Sequence, residues 1–489
     1  MTGKLSIRRL STGVPGLDNL LGGGLPEFSF NLIAGAPGSG KTTLAHQIMF
    51  SLANSGNRAL FFTVLGEPPL KMLRYQQQFS FFDIDKLDEC IRFVNLSANL
   101  LNGNFERVLS RIEEEVKVCQ PRFVFVDSFR SLARSAKGEG EFALQRFIQQ
   151  LGTQMTSWEA TTFLIGEYVR PDSESSAIFT IADGILSLTQ NLQRNSMVRK
   201  MQAVKMRGQA QATGFHTFRI NEDGVQVYPR AIIQVGTATE SEVKVSLEEK
   251  RASMGTPGLD EMLGGGLPVG YSLLVVGPSG SGKTILATEF LSEGIRRGEP
   301  GVIAAFEKSP SQLLSTKLSA LVKTGKVGVI DTRTLDLSID QVLHDMMKMI
   351  KRMQAKRVVI DSLSGFALAL APEFSEDFRG SLYRMIAELT DLGVTVIMTS
   401  ELEDRYTDLR FSPFGSAFLA DAIIVQRYIE IESQFKRVLS VVKVRGSDHS
   451  KNIRQFDITG EGIVLGEILS EYNGIMSGHP TAVFEQNDQ

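Results

Sequence analysis

The chain has 489 residues, of which 42% are hydrophobic and 22% charged, and its formal net charge at pH 7 is −3. This composition is that of a globular protein and excludes the fibrous and wholly disordered classes. The near-neutral charge excludes the overall positive potential that draws proteins onto nucleic acid, although it leaves room for a local basic loop. Two cysteines are too few for a cysteine-based zinc site or a disulfide framework.

The sequence carries no feature that directs a protein to a membrane. Residues 1–13 lack the apolar core of a signal peptide. There is also no stretch of about 18 or more apolar residues, the length that a membrane-spanning helix requires. We therefore expect a cytoplasmic protein without a membrane-spanning segment.

The first recognisable element is a segment that occurs twice. Residues 13–26 read GVPGLDNLLGGGLP and residues 255–268 read GTPGLDEMLGGGLP, with eleven of the fourteen positions identical. A period of about 240 residues is far longer than the repeat unit of a solenoid, so it indicates a duplicated domain.

Between the two copies lies a polar and charged stretch without an apolar stripe, which we predict to be a linker. The last residues are rich in Gly, Pro, Asn and Asp, and we expect them to form a loose tail. The predicted first domain, linker, second domain and tail are residues 1–233, 234–250, 251–470 and 471–489.

Within each copy, short β-branched or aromatic runs alternate with longer amphipathic segments of helical period. The predicted strands are 59–65, 122–128 and 161–166 in the first copy and 301–307, 357–362 and 394–400 in the second. The predicted helices are 105–118 and 339–353. This alternation predicts an α/β fold in which each domain has a mostly parallel twisted sheet with helices on both faces.

Each copy also carries the phosphate-loop pattern GxxxxGK[ST] between an apolar strand and a helical segment. It reads GAPGSGKT at residues 35–42 and GPSGSGKT at residues 277–284. Glycines permit a tight turn in which several backbone N–H groups converge on phosphates, and the following helix N-terminus adds a favourable dipole. The lysine neutralises the β- and γ-phosphates, and the threonine hydroxyl binds Mg²⁺.

Two full matches in register predict two sites for ATP with Mg²⁺. The predicted ATP-binding residues are Gly35, Pro37, Gly38, Ser39, Gly40, Lys41, Thr42 and Thr43 in the first domain and Gly277, Ser279, Gly280, Ser281, Gly282, Lys283 and Thr284 in the second.

A carboxylate ends an apolar strand in each copy, at Asp127 in FVFVD and at Asp361 in RVVID. In that place it can hold a metal-bound water beside the phosphate loop, so we predict Thr42 with Asp127 and Thr284 with Asp361 as the metal residues. Because a serine follows each aspartate, a helix N-cap is the alternative interpretation.

Hydrolysis also needs a base or a group that orients water. The candidates are Glu67 in TVLGEPP and Glu307 in AAFEKSP, each following the second strand of its domain. The alternative is an exposed loop glutamate with no catalytic role.

Near the end of each copy a K-x-R-G element lies in a strand-like segment, with Lys205 and Arg207 in the first and Lys443 and Arg445 in the second. Residues two apart on a strand project from one face. Such a cation pair suits contact with the γ-phosphate in a neighbouring subunit, as an arginine finger does. A solvated polar face is the alternative.

Together the opening segments, the phosphate loops, the VDS and IDS strand ends and the two K-x-R-G elements resemble the KaiC family, over nearly the whole chain. The resemblance implies tandem RecA-like ATPase domains and a homohexamer of two stacked rings, with ATP between neighbouring subunits. It also implies slow hydrolysis in the first ring, Ser/Thr self-phosphorylation in the second, and regulatory partner proteins.

Two departures from the family pattern bear on these expectations. The family usually has two consecutive glutamates at each catalytic position, whereas each copy here keeps one, Glu67 and Glu307. The family's adjacent Ser and Thr acceptors correspond to Ala417 and Phe418, which cannot accept a phosphate. The candidate acceptors nearby are Ser416 and Ser412, for which an ordinary loop serine is the alternative.

The leading hypothesis is therefore a KaiC-like regulatory ATPase with a candidate autokinase activity in its second domain. A nucleic-acid-dependent ATPase is the principal alternative, because RecA-like cores also serve that role and fold alone does not decide function. The absence of a strongly basic segment argues against it. The third hypothesis is a scaffold that holds ATP with negligible turnover.

Overall fold

The computed structural model describes residues 7–64, 69–87, 89–99, 105–127, 140–167, 177–193, 196–230, 250–306, 317–330, 337–375, 377–402, 416–460, 462–475 and 480–482. The chain divides into two compact units, Met1–Arg230 and Ala231–Gln489. The predicted linker lies almost entirely outside the described residues, so its bounds stay a prediction. No helix in the described part of the chain has the length and hydropathy needed to cross a membrane.

The first unit is built around a sheet of nine strands in the order β11-β10-β9-β8-β3-β7-β6-β4-β5. Its strands are β1 Arg9–Leu10, β2 Leu25–Pro26, β3 Phe30–Gly35, β4 Ala59–Thr63, β5 Ile91–Asn95, β6 Phe123–Asp127, β7 Thr161–Gly166, β8 Gly184–Gln193, β9 Ser196–Met206, β10 His216–Asn221 and β11 Gly224–Tyr228. Its helices are α1 Leu17–Leu20, α2 Lys41–Leu52, α3 Pro69–Gln76, α4 Phe105–Cys119, α5 Gly140–Ser157 and α6 Ala177–Ile181. The strands from β8 to β5 run parallel, and β9, β10 and β11 extend the sheet antiparallel.

The second unit repeats this topology, in the order β16-β15-β17-β18-β14-β19-β20-β21-β22. Its strands are β12 Arg251–Ala252, β13 Leu267–Pro268, β14 Ser272–Gly277, β15 Gly301–Ala305, β16 Val327–Ile330, β17 Arg357–Asp361, β18 Thr395–Glu401, β19 Ala422–Ile431, β20 Gln434–Val444, β21 Ile453–Thr459, β22 Gly462–Ile468, β23 Tyr472–Asn473 and β24 Thr481–Ala482. Its helices are α7 Pro257–Met262, α8 Lys283–Arg296, α9 Lys317–Lys323, α10 Ile339–Met353, α11 Leu363–Ala369 and α12 Phe378–Asp391.

Helices cover both faces of each sheet. In β3, Leu32 packs in a cluster with Ile112 of α4, whereas its neighbour Ile33 packs in a second cluster with Ile48 of α2. Successive strand side chains point to opposite faces, so the two clusters lie on the two sides of the sheet. A central parallel strand covered on both faces is mostly apolar, and every residue of β3 is buried, with Asn31 as its polar member. The structure therefore confirms the predicted α/β fold with a mostly parallel sheet.

The elements predicted from periodicity are present with shifts of one or two residues at their ends. The predicted strands became β4, β6, β7, β15, β17 and β18, and the predicted helices became α4 and α10. The expectation of a loose tail is wrong for its first residues. Ile475 is buried and packs against Ile429, Ile431 and Val438 of the β19–β20 hairpin. Its burial is favourable because removing an apolar side chain from water lowers the free energy of the folded state.

Candidate nucleotide site

In both units the phosphate loop joins a buried strand to a helix that begins at the loop lysine. β3 ends at Gly35 and α2 begins at Lys41, and in the second unit β14 ends at Gly277 and α8 begins at Lys283. The described residues therefore place the predicted loop residues together, at the carboxyl end of a central parallel strand. This is the position at which open α/β sheets bind their ligands.

Two glycines in each loop have backbone conformations that other residues rarely adopt. In the first unit φ is 76° at Gly38 and 96° at Gly40, and in the second it is 77° at Gly280 and 104° at Gly282. A Cβ added to Gly40 would also lie 2.6 Å from the Cδ1 atom of Ile220. Both loops therefore depend on glycine for their backbone conformation, and a side chain at Gly40 would also displace the end of Ile220.

The predicted metal residues are brought together in both units. The Thr42 Oγ1 hydroxyl donates a hydrogen bond of 2.8 Å to Oδ2 of Asp127. In the second unit Thr284 Oγ1 donates to Oδ2 of Asp361, also over 2.8 Å. The same hydroxyl–carboxylate pair thus forms in both units, between residues 85 positions apart in the first and 77 positions apart in the second.

The N-cap interpretation of the strand-end aspartate does not hold in the second unit. There the N-cap of α11 is Ser362, whose side chain accepts a hydrogen bond from the N–H of Gly365. The Asp361 carboxylate instead accepts from Thr284 and from Thr399. The residue after Asp127 lies outside the described part of the first unit.

The loop lysines fold over their own loops. Lys41 Nζ donates to the carbonyl of Ala36 at 2.7 Å, and Lys283 Nζ donates to the carbonyls of Gly277 and Pro278, each at 2.8 Å. Burial lowers the pKa of the Lys41 ammonium, and the Asp127 and Glu167 carboxylates oppose part of that lowering.

Glu167 is a site residue that the sequence analysis missed. It follows the end of β7, and β18 ends at the equivalent glutamate, Glu401. The sequence shows this repeat, because the two strand segments, TTFLIGE and VTVIMTSE, both end in glutamate. The predicted catalytic glutamates Glu67 and Glu307 lie outside the described residues.

The donor set fits ATP with Mg²⁺. Each loop offers an ammonium group, a hydroxyl paired with a carboxylate, and left-handed glycines at a helix N-terminus, where N–H groups and dipole favour phosphate. In the first loop the buried Ser39 hydroxyl has no partner among the described residues. Hard oxygen donors are the ligands that Mg²⁺ prefers.

The side chains of the first K-x-R-G element donate hydrogen bonds to the segment that precedes β8. Lys205 Nζ donates to the carbonyls of Phe179 and Thr180 at 3.0 and 3.1 Å, and Arg207 donates to Thr180 at 2.9 Å and to Asp183 at 3.1 Å. Partial desolvation and the nearby Arg207 lower the pKa of Lys205.

In the second unit the arginine makes the equivalent contacts, whereas the lysine bonds to a carbonyl closer to the strand. Lys443 donates to the carbonyl of Ala420 at 2.8 Å, and Arg445 donates to the carbonyl of Phe418 at 3.1 Å and to Asp421 at 3.2 Å. The arginine side chains stay about half exposed, at 56% and 55%. They are thus ordered by their own unit and still accessible from outside it.

In each unit the phosphate loop follows the last residue of its strand, whereas the arginine lies near the first residue of that same strand. The Asp183 carboxylate that holds Arg207 also accepts from the N–H of Phe30, the first residue of β3. The loop begins at Gly35, the last residue of that strand. Five strand residues span about 17 Å. Arg207 is therefore remote from the phosphates that its own loop would hold.

The comparisons with known proteins agree with this geometry. The model of the KaiC ATPase family matches residues 10–232 and 252–470. The chain belongs to the KaiC family. Both matched regions contain a complete phosphate loop, so the chain is a two-domain protein of this ATPase family, with tandem RecA-like domains.

The chain aligns with KaiC relatives over almost its full length. The circadian clock protein KaiC3 of Synechocystis sp. is 28% identical over 495 residues, covering 97% of this chain and 95% of the relative. The circadian clock oscillator proteins KaiC of a Picosynechococcus species and of Thermosynechococcus vestitus are each 25% identical over 493 residues, covering 98% of this chain and 93% and 92% of the relatives.

The segment that contains the candidate acceptor Ser416 lies beside Arg445. Residues Ser416–Phe418 form a 3₁₀ turn, whose last carbonyl accepts from Arg445. The Phe418 ring lies 4.3 Å from the guanidinium carbon of Arg379. Of the two candidate acceptors, Ser412 and the Ser416 side chain lie outside the described part of the chain.

Proposed function

We propose that this KaiC-family protein binds ATP with Mg²⁺ in both domains, hydrolyses it, and works as a homohexamer of two stacked rings whose nucleotide state sets its contacts with regulatory partner proteins. The observation that carries the proposal is the threonine–aspartate pair beside the phosphate-loop lysine, present in both units. Two sites of the same chemistry favour nucleotide turnover over an accidental loop in either one.

The residues of the first domain have distinct tasks in this proposal. Lys41 would neutralise the β- and γ-phosphates, and Thr42 and Asp127 would hold Mg²⁺ directly and through its water. Bound Mg²⁺ supplies charge neutralisation for the developing negative charge. Glu67 would orient the attacking water, a task that Glu307 would perform in the second domain.

The position of the arginines supports the proposed assembly. An arginine side chain does not span the roughly 17 Å between the start and the end of β3. Arg207 therefore suits the nucleotide of a neighbouring subunit, and Arg445 has the equivalent place in the second domain. A head-to-tail contact that repeats in this way forms a ring when the rotation between subunits brings the last subunit back to the first. The KaiC resemblance sets the expected size at six subunits.

The test is ADP release by the purified protein with Mg²⁺ and ATP, alongside its mass in solution with and without nucleotide. We expect turnover and a nucleotide-dependent hexamer, and we expect K41A combined with K283A to abolish both. A hexamer with bound ATP and no turnover would leave a scaffold instead. Turnover that required DNA or RNA and fell steeply with salt would indicate a nucleic-acid-dependent ATPase.

Autokinase activity of the second domain is tested on the same sample by intact and peptide mass spectrometry. The proposed acceptors are Ser412 and Ser416, since Ala417 and Phe418 have no hydroxyl. A phosphate that disappears in S412A or S416A would support the proposal. ADP release without added mass would mean an ATPase without self-phosphorylation.

A further inference from the structure

One aspartate in each domain is bonded both to the trans-acting arginine and to the strand that leads into the phosphate loop. In the first domain this is Asp183. Its Oδ1 accepts from Arg207 at 3.1 Å and its Oδ2 accepts from the N–H of Phe30 at 3.0 Å. Its backbone makes the same two connections, donating to the carbonyl of Phe30 and accepting from the N–H of Arg207, each at 2.8 Å.

Asp421 repeats these contacts in the second domain. Its Oδ1 accepts from Arg445 at 3.2 Å, and its Oδ2 accepts from the N–H and the hydroxyl of Ser272 at 3.0 and 2.8 Å. The backbone bonds to Ser272 and Arg445 are both 2.9 Å long. The two aspartates are 31% and 23% exposed, so solvent weakens their charge–charge contacts less than it does at a fully exposed pair.

The arrangement restricts a side chain that would otherwise move freely. A half-exposed arginine has many rotamers, and a group that acts on a developing charge works best when it is already oriented. In each domain the carboxylate fixes one guanidinium nitrogen, and the carbonyl of Thr180 or Phe418 fixes another. The guanidinium plane is thereby set by two acceptors, while the rest of the group stays accessible.

The aspartate–arginine contact occurs at equivalent positions of both domains, which favours a role that the two domains share. The aspartate precedes the arginine by 24 residues in each copy. The local sequences are IADGIL at the start of β8 and LADAII at the start of β19. A purely architectural bond between neighbouring strands needs no charged partner, because the backbone bonds already make that connection.

We propose that Asp183 and Asp421 are positioning residues, which orient Arg207 and Arg445 toward the nucleotide of the neighbouring subunit and tie each arginine to the first residue of its own phosphate-loop strand. This inference rests on the proposed trans role of the arginines. The aspartates do not contact the nucleotide; they act through the arginine.

A double-mutant cycle on the full-length chain tests the inference. The three variants are D183N with D421N, R207A with R445A, and all four substitutions together, each assayed for kcat and KM of ATP turnover. Asparagine keeps an acceptor for the strand N–H and loses the charge that faces the guanidinium. We expect the asparagine variant to lose about tenfold or more in kcat, with KM changed less than about twofold, and no further loss on the arginine-less background.

The outcomes distinguish a failure of the proposed trans role of the arginines from a failure of the inference about the aspartates. If removing the arginines leaves turnover unchanged, the proposed trans role fails. If the arginine variant is impaired while the asparagine variant is not, or if the two losses multiply, the aspartates are structural and only the inference is overturned. D377N is the matched control, because Asp377, the residue before α12, pairs with Arg384 of that helix at 3.2 Å. Its kcat is expected to match that of the unmodified protein, and thermal unfolding and mass in solution confirm that each variant folds and assembles.

Discussion

The hydroxyl of Ser281, in the phosphate loop of the second domain, donates a 3.0 Å hydrogen bond to Oε1 of Gln426 on β19. Both residues are fully buried. In the first domain the strand register places Leu188 at the equivalent position of β8, and the hydroxyl of the equivalent loop residue, Ser39, has no partner within the described residues. The second loop is therefore tethered to its sheet by a bond that has no counterpart among the described residues of the first unit.

We predict that this tether slows nucleotide release from the second domain. A typical hydrogen bond contributes about 1 kcal/mol, so Q426L should accelerate release of a fluorescent ADP analogue by roughly fivefold. The measurement is stopped-flow dissociation in a K41A background, in which only the second site binds. The reciprocal variant, L188Q in a K283A background, should slow release from the first site. Unchanged rates in both variants would show that the tether is irrelevant to exchange.

The metal assignment predicts a specific loss in T42A. Without the hydroxyl beside Asp127, the first domain should need more Mg²⁺, and its turnover should fall by about tenfold or more. The measurement is ADP release against Mg²⁺ concentration in the K283A background. T42S is the control, because serine keeps the hydroxyl and should keep the Mg²⁺ midpoint. An unaltered midpoint in T42A would remove this residue from the metal site.

His46, on the helix after the first phosphate loop, should make the first domain sensitive to acid. The side chain is fully buried, its ring centroid lies 4.6 Å from that of Phe61, and burial lowers its pKa to about 4, an effect that Gln76 only partly opposes. Between pH 6.5 and pH 4 the unfolded histidine binds a proton that the folded one does not. Stability therefore falls as the pH falls through this window, by about 2 kcal/mol between pH 8 and pH 5.

Chemical unfolding of the protein and of H46L at pH 8 and pH 5 measures this effect. The first-domain transition should lose stability at pH 5 in the unmodified protein, and H46L should lose correspondingly less. Equal losses in the two proteins would assign the acid sensitivity to other groups.

The parts of this site that follow from local sequence could be predicted. The phosphate loops and the strand-end aspartates Asp127 and Asp361 stand in short motifs whose chemistry needs those residues at those spacings. The central strands were visible for a similar reason, since burial on both faces demands a continuous apolar run.

What sequence reasoning missed depends on contacts between distant residues. In the sequence, Asp183 is an aspartate that precedes a strand and has no distinguishing motif. Its role becomes visible only through its hydrogen bond with Phe30, which lies 153 positions away. Gln426 likewise meets its loop partner 145 residues away. The tail residue Ile475 was assigned to a loose segment, because the residues around it are polar and only the hairpin that covers it explains its burial.

The distance between each arginine and its own phosphate loop also has a genetic consequence. In the proposed hexamer, a chain without Arg207 and Arg445 would keep intact loops and disable only the sites of its neighbours, whereas a chain without Glu67 and Glu307 would still bind ATP and disable only its own sites. Two inactive proteins of these kinds, mixed in equal amounts, should regain turnover at about a quarter of all subunit interfaces. By the same logic, either altered chain mixed in equal amounts with the normal chain should leave about half of the sites active, because each altered subunit disables one site, its own or its neighbour's.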